Sequence, residues 1–197
     1  MPPRVGLSRE AVVEAAAELA DEEGFEALSL SILASRLGIR TPSLYNHVAG
    51  LDGLRRELAL LGIRELGRRL GRAAIGKTTD DATFALARAY REFVKERPGL
   101  YAATVRSSRL SYPEDPAFQA VERETLETVL AVIASYGLRG DDALHAARGF
   151  RSTVHGFATL EVAGGFGIPL DLDESFERLL HIFVAGLRDR EGFVECE

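Results

Sequence analysis

The chain has 197 residues, 46% hydrophobic and 27% charged, with one cysteine, no tryptophan and a formal net charge of -6. That apolar content supplies a real core and excludes a disordered tail or a collagen-like repeat, and the lone Cys196 excludes an intrachain disulfide scaffold. No apolar run approaches a membrane span, and Met1 to Ser8 lacks the apolar stretch of a signal peptide, so a cytoplasmic protein with no membrane partner is expected.

The charge is uneven. Through Arg72 ten arginines balance ten carboxylates, so the whole excess of -6 falls in the remainder. Between Glu26 and Asp52 stand Arg36, Arg40 and His47 and no carboxylate at all. A negative total therefore does not exclude a nucleic-acid partner, because one stretch avoids the charge that phosphates would repel.

Val12, Ala15, Ala16, Leu19 and Ala20 recur at helical spacing while Glu10, Glu14, Glu18 and Glu22 fall on another face, which predicts an amphipathic helix capped by Ser8 and ended by Gly24. Ser29 is the N-cap of a two-turn helix with Ile32, Leu33 and Leu37 as its apolar face and Gly38 as its left-handed stop. Thr41 as N-cap with Pro42 at the first helical position opens a second short helix through about Val48. Leu54, Leu58 and Leu61 announce a longer helix from Asp52 to about Arg72. Later breaks are expected at Gly76 to Asp80, Arg97-Pro98-Gly99, Tyr112 to Pro116, Gly137 to Gly140 and Gly164 to Asp173. No segment alternates with period two between hairpin turns, so the predicted fold class is all-α.

Two late helices bear on assembly. From Asp141 to Gly164, Ala146, Phe150, Thr153, Phe157 and Leu160 form one apolar face and Ala147, Val154, Ala158 and Val162 another. The last helix, Asp173 to about Arg188, carries Phe176, Leu179, Leu180, Phe183, Val184 and Leu187. A helix apolar on two sides must be covered on two sides, by the chain's own core or by a second copy. The favoured reading is a homodimer that buries Val154, Ala158, Val162, Phe176, Leu179, Leu180, Phe183, Val184 and Leu187.

Two short helices joined by a glycine turn, the second opened by Thr-Pro, form a helix-turn-helix signature. The second helix offers Thr41, Ser43, Tyr45, Asn46 and His47, side chains that are short or able to hydrogen-bond, and leaves Leu44 and Val48 for packing. Such a helix suits the major groove, and its first backbone N–H groups suit a phosphate.

Leu33-Ala34-x-x-Leu37-Gly38-Ile39 followed by Pro42-Ser43-Leu44-Tyr45-x-His47-Val48 closely resembles the N-terminal DNA-binding domain of TetR-type transcriptional regulators, and the resemblance runs over roughly Ser8 to Leu61. It implies a three-helix DNA-binding domain over residues 1–50, with the motif at about 29–48, and a larger helical domain over residues 51–197 for ligand sensing and dimerisation. It also implies a homodimer on a palindromic double-stranded operator, most often a repressor released by a small-molecule effector, with a ligand-dependent activator as the alternative. Carried over by position, it implies base contact by Thr41, Pro42, Ser43 and Asn46, phosphate contact by Tyr45 and His47, and base reach by Ser31; Ser29 and Arg40 complete the candidate DNA-binding set. The family's usual lysine near the start of the fourth helix is missing from Ala49-Gly50-Leu51. Affinity is therefore expected to lean on Arg4, Arg9, Arg36 and Arg40.

Farther along, Tyr90-Arg-Glu-Phe-Val-Lys-Glu-Arg-Pro98-Gly-Leu-Tyr101 and Val154-His155-Gly156-Phe157-x-x-Leu160-Glu161 resemble one recurrent C-terminal subtype of the family, without its usual tryptophan before the His-Gly pair. Phe84, Tyr90, Phe93, Tyr101, Val105, Phe118, Leu126, Val129, Phe150 and His155 are the candidates to line an apolar ligand cavity, against the plain alternative that they are core. A small helical enzyme or adaptor is the rival from another class. His47, His145, His155 and His181 lack metal-ligand spacing, Gly164-Gly-Phe-Gly167 follows a helix instead of a strand, and His155 and Glu161, six positions apart, point to nearly opposite sides of a helix. No catalytic residue, metal or cofactor is expected.

Overall fold

The computed structural model describes residues 7–106 and 114–189. Arg4, Cys196 and the Tyr112-Pro113 part of the expected break lie outside them. The described residues form helices and no strand: α1 Arg9–Glu23, α2 Leu30–Arg36, α3 Thr41–Leu44, α4 Gly50–Ala74, α5 Thr79–Glu96, α6 Pro98–Arg106, α7 Pro116–Ile133, α8 Gly140–Val162 and α9 Leu172–Arg188. Short 3₁₀ turns at Phe25–Ala27 and Ala134–Tyr136 complete them.

Two compact units result. The first comprises the chain through Arg64 together with Arg97–Gln119, and the second comprises Glu65–Glu96 and everything from Ala120. In the first, Ser8 Oγ accepts from Ala11 N–H at 3.1 Å to start α1, and Gly24 N–H donates to the Ala20 carbonyl at 2.9 Å to end it. Val12, Val13, Ala16, Ala17, Leu19 and Ala20 are buried. The expected break at Arg97-Pro98-Gly99 narrows to Arg97, because Pro98 opens α6 and Gly99 lies in its first turn. There α6 presses on α1 so closely that a Cβ added at Gly99 would stand 1.9 Å from the Ala20 carbonyl oxygen. Asp21 accepts from the Leu100 N–H at 2.9 Å and pairs with the Arg97 guanidinium, which also reaches Glu14 at 3.0 Å. This packing is what brings α6 into the same unit as α1.

In the second unit α5, α8 and α9 pack together around Leu86, Tyr90 and Phe93, Phe150, Val154 and Phe157, and Phe176 and Leu180, all buried. Burying each large side chain contributes roughly 1.5–3 kcal/mol. The Arg91 guanidinium lies 4.9 Å from the Phe176 ring centroid and 5.4 Å from that of Phe157, bonds Glu161 at 2.6 and 2.8 Å, and reaches Asp173 at 2.7 Å. Glu161 also receives Lys95 at 2.8 Å, so one polar cluster ties all three helices.

The expected dimer stripes are corrected by this core. Val154, Ala158, Phe176, Leu180, Val184 and Leu187 are covered by the chain itself, so they have no surface left to offer a second copy. Leu179 and Phe183 are half-buried, Phe183 lying 6.0 Å from Phe150 between ring centroids, and Val162 is exposed. Leu160, predicted on a covered face, and Ile182, at 72% exposure, also stand open.

Candidate nucleic-acid interface

The helix-turn-helix is built as its local chemistry dictates, with a shorter second helix. Ser29 Oγ accepts from Ile32 N–H at 3.3 Å and lies 3.1 Å from Ser31 Oγ, so Ser29 is committed to capping α2. Leu33 and Ala34 are buried, whereas Ile32, expected in the apolar face, is 46% exposed. Gly38 takes φ +66°, the left-handed conformation that lets the Ile39 N–H return to the Ala34 carbonyl at 3.0 Å. The cap position of α3 is Arg40, with no side-chain hydrogen bond, so Thr41 is its first residue instead of its cap. The helix ends at Leu44 and not near Val48. Beyond it, Asn46 N–H donates to the Ser43 carbonyl and His47 N–H to the Leu44 carbonyl, three residues back, and this tighter winding replaces further α-helical turns.

Leu44 and Val48 are buried and hold the segment to the rest of the first unit. Pro42, Ser43, Asn46 and Tyr45, the last at 62% exposure, face outward with Ser31 and Arg40. Thr41 and His47 are half-buried. The surface thus presents hydroxyl, amide, phenol and guanidinium groups and no carboxylate between residues 27 and 51.

Sequence reasoning missed how the neighbouring arginines are used. Arg36 bonds Glu22 at 2.5 and 2.7 Å and approaches Glu18 at 3.4 Å, and its guanidinium holds the Glu22 carboxyl below the usual range. Arg9 pairs with Glu57 at 2.7 Å. The signal was present in the Glu18 and Glu22 spacing on the polar face of α1, but only the packing of α2 across α1 brings Arg36 to it. Leu51, where the lysine is missing, is half-buried in the first turn of α4.

The residues expected to line a ligand cavity divide between the units. Tyr101, Val105 and Phe118 belong to the first, and Phe84, Tyr90, Phe93, Leu126, Val129, Phe150 and His155 to the second. Tyr90, Phe93, Tyr101, Phe118 and Phe150 are buried, Phe84 packs edge-on against His181 at 4.8 Å, and Val105 and Leu126 are exposed. Burial, with Arg151 nearby, lowers the pKa of His155. Glu161 is held by Arg91 and Lys95. Among the described residues no three His, Cys, Asp or Glu side chains are grouped to hold a metal, and no helix is long and apolar enough to cross a membrane.

Residues 12–58 match the family model described as bacterial regulatory proteins of the tetR family, and residues 83–183 match that of the tetracycline repressor-like C-terminal domain. A helix-turn-helix transcriptional regulator of Mycobacterium tuberculosis, itself uncharacterised, is 39% identical over 93% of this chain and 83% of its own length. A solved protein of unknown function from Rhodococcus sp. RHA1 superposes with TM-score 0.80 at 24% identity, covering 96% of this chain and all of its own. A TetR variant from Acinetobacter baumannii AYE, solved in complex with minocycline, superposes with TM-score 0.71 at 23% identity over 97% of this chain and 98% of its own.

Proposed function

Because the chain belongs to the TetR family of bacterial DNA-binding transcriptional regulators, we propose that it acts as a cytoplasmic homodimeric repressor that leaves a palindromic operator when a small molecule binds its C-terminal helices. The observation that carries this reading is the outward set Pro42, Ser43, Tyr45 and Asn46 beside half-buried Thr41, free of carboxylates and set over the buried Leu44 and Val48. Asn46, Thr41 and Ser43 read base edges, Pro42 offers apolar contact to a thymine methyl, Ser31 reaches a flanking base, and Tyr45 and His47 grip phosphates. A dimer sets two such segments in successive major grooves about 34–36 Å apart.

Exposed Val162 and Ile182 with half-buried Leu179 and Phe183 support a second copy on α8 and α9, in place of the stripes consumed by the core. The A. baumannii complex supports a small-molecule effector for this chain. The boundary between units falls inside α4, so a ligand that displaces this helix changes the separation of the two reading segments. Losing register on one half-site removes several contacts at once. The reading assigns no catalytic step to the chain.

Anisotropy titration with DNA upstream of the chain's own gene tests the reading. Tyr45→Ala weakens binding to every sequence alike, whereas Asn46→Ala changes the preference between operator variants. Unchanged preference after the Asn46 substitution removes its base-reading role.

A further inference from the structure

We propose that Arg40 is the phosphate clamp of the reading surface, and that Arg9 and Arg36 take no part in holding DNA. The proposal rests on the DNA-reading function and names one contact within it.

Charge pairing sorts the candidates. Arg9 faces Glu57, Arg36 faces Glu22 and Glu18, Arg56 faces Asp115 and Glu57, Arg97 faces Asp21 and Glu14, and Arg106 faces Glu26. A guanidinium already opposite a carboxylate gains little from a phosphate, because the new pair replaces the old one and leaves a carboxylate exposed beside the DNA. Arg55 faces Asp52 at 3.9 Å, and its guanidinium lies 5.8 Å from the Phe25 ring centroid with its Nε buried. In the first unit's described residues, Arg40 and Arg64 have no ion pair at all.

Position then separates these two. Arg64 stands fourteen residues beyond the first residue of α4, which is about 21 Å along the helix axis at 1.5 Å per residue. Arg40 directly precedes Thr41. Its carbonyl accepts from the Ser43 N–H at 2.9 Å, so the backbone is held by the turn while the side chain stands exposed. The nearest carboxylates in sequence are Glu26 and Asp52, so the motif itself holds nothing to neutralise it. A planar fork of donors beside the recognition segment suits a phosphate oxygen pair.

The test uses a duplex selected by the wild-type chain from a random-sequence library, with binding followed over a series of salt concentrations. Arg40→Ala lowers the slope of log affinity against log salt by about 0.9, as expected for one lost phosphate contact. It weakens the selected and a scrambled duplex by the same factor, and Arg40→Lys restores the slope. Arg36→Ala keeps the wild-type slope. A wild-type slope in Arg40→Ala, an altered preference among sequences, or an equal loss in Arg36→Ala overturns the proposal while leaving the DNA-reading function standing. A wild-type selection that enriches no sequence overturns that function, and the proposal with it.

Discussion

Glycine 99 shows how a single residue can carry the opposite sign from its propensity. A glycine inside a helix ordinarily costs about 0.5–1 kcal/mol relative to alanine, so Gly99→Ala in isolation should stabilise α6. Here the added carbon would lie 1.9 Å from the Ala20 carbonyl oxygen, a backbone atom that cannot turn aside. Gly99→Ala is therefore expected to lower unfolding stability by about 1–3 kcal/mol through forced separation of α1 and α6. Urea denaturation checks the sign, and a gain in stability would show that the two helices are not pressed together. The sequence shows Pro98-Gly99 as a break, which is the usual meaning of that dipeptide. What it does not show is the helix, nearly eighty positions earlier, that requires the missing side chain. The same limit hid the pairing of Arg36 with Glu22, whereas Ser8, Ser29 and Gly38 were legible because their roles are satisfied by backbone groups within five residues.

Among elements, the Arg91 cluster is the feature that periodicity alone does not predict. Arg91 on α5 meets Glu161 near the end of α8 and Asp173 in the first turn of α9, and its guanidinium lies over the rings of Phe157 and Phe176. The hydrogen bonds from Arg91 and Lys95 outweigh burial and hold the Glu161 carboxyl below its usual range. A carboxyl depressed in the folded state contributes stability that is complete above its unfolded value, near 4.3, and that fades as pH falls through the lower folded value. The melting temperature is thus expected to drop with acidification below about pH 4.3, and Glu161→Gln to flatten that part of the profile while lowering stability at neutral pH, since it leaves the Arg91 charge without its main partner. Calorimetry across the acid range measures both; an acid limb unchanged in Glu161→Gln would show that other carboxylates govern it. Helix α3 gives the complementary case. Thr41-Pro42 marked its start to within one residue, but its length was overestimated, because the polar Tyr45 to His47 run adopts three-residue hydrogen bonding that hydrophobic spacing does not distinguish from a continuing helix.

At the scale of the whole molecule, burial decides which apolar residues remain for assembly. Leu180 is fully buried within the chain and Ile182, two positions along α9, is 72% exposed. Leu180→Ala is expected to cost about 2–5 kcal/mol of folding stability by opening a cavity. Ile182→Glu is expected to leave the fold intact and to convert a dimer into monomers, as sedimentation velocity would show; a dimer that survives it does not use this face of α9. The sequence by itself determined the all-α class, the Ser8 and Ser29 caps, the family and the carboxylate-free segment. Each depends on neighbours along the chain, on residue type, or on a motif short enough to read directly. Only the tertiary structure decided that α6 joins the unit of α1, that Arg36 is neutralised, and that most of the two late stripes lie in the chain's own core. Those outcomes depend on which distant surfaces meet, and an apolar stripe looks the same in sequence whether its cover comes from its own chain or from another.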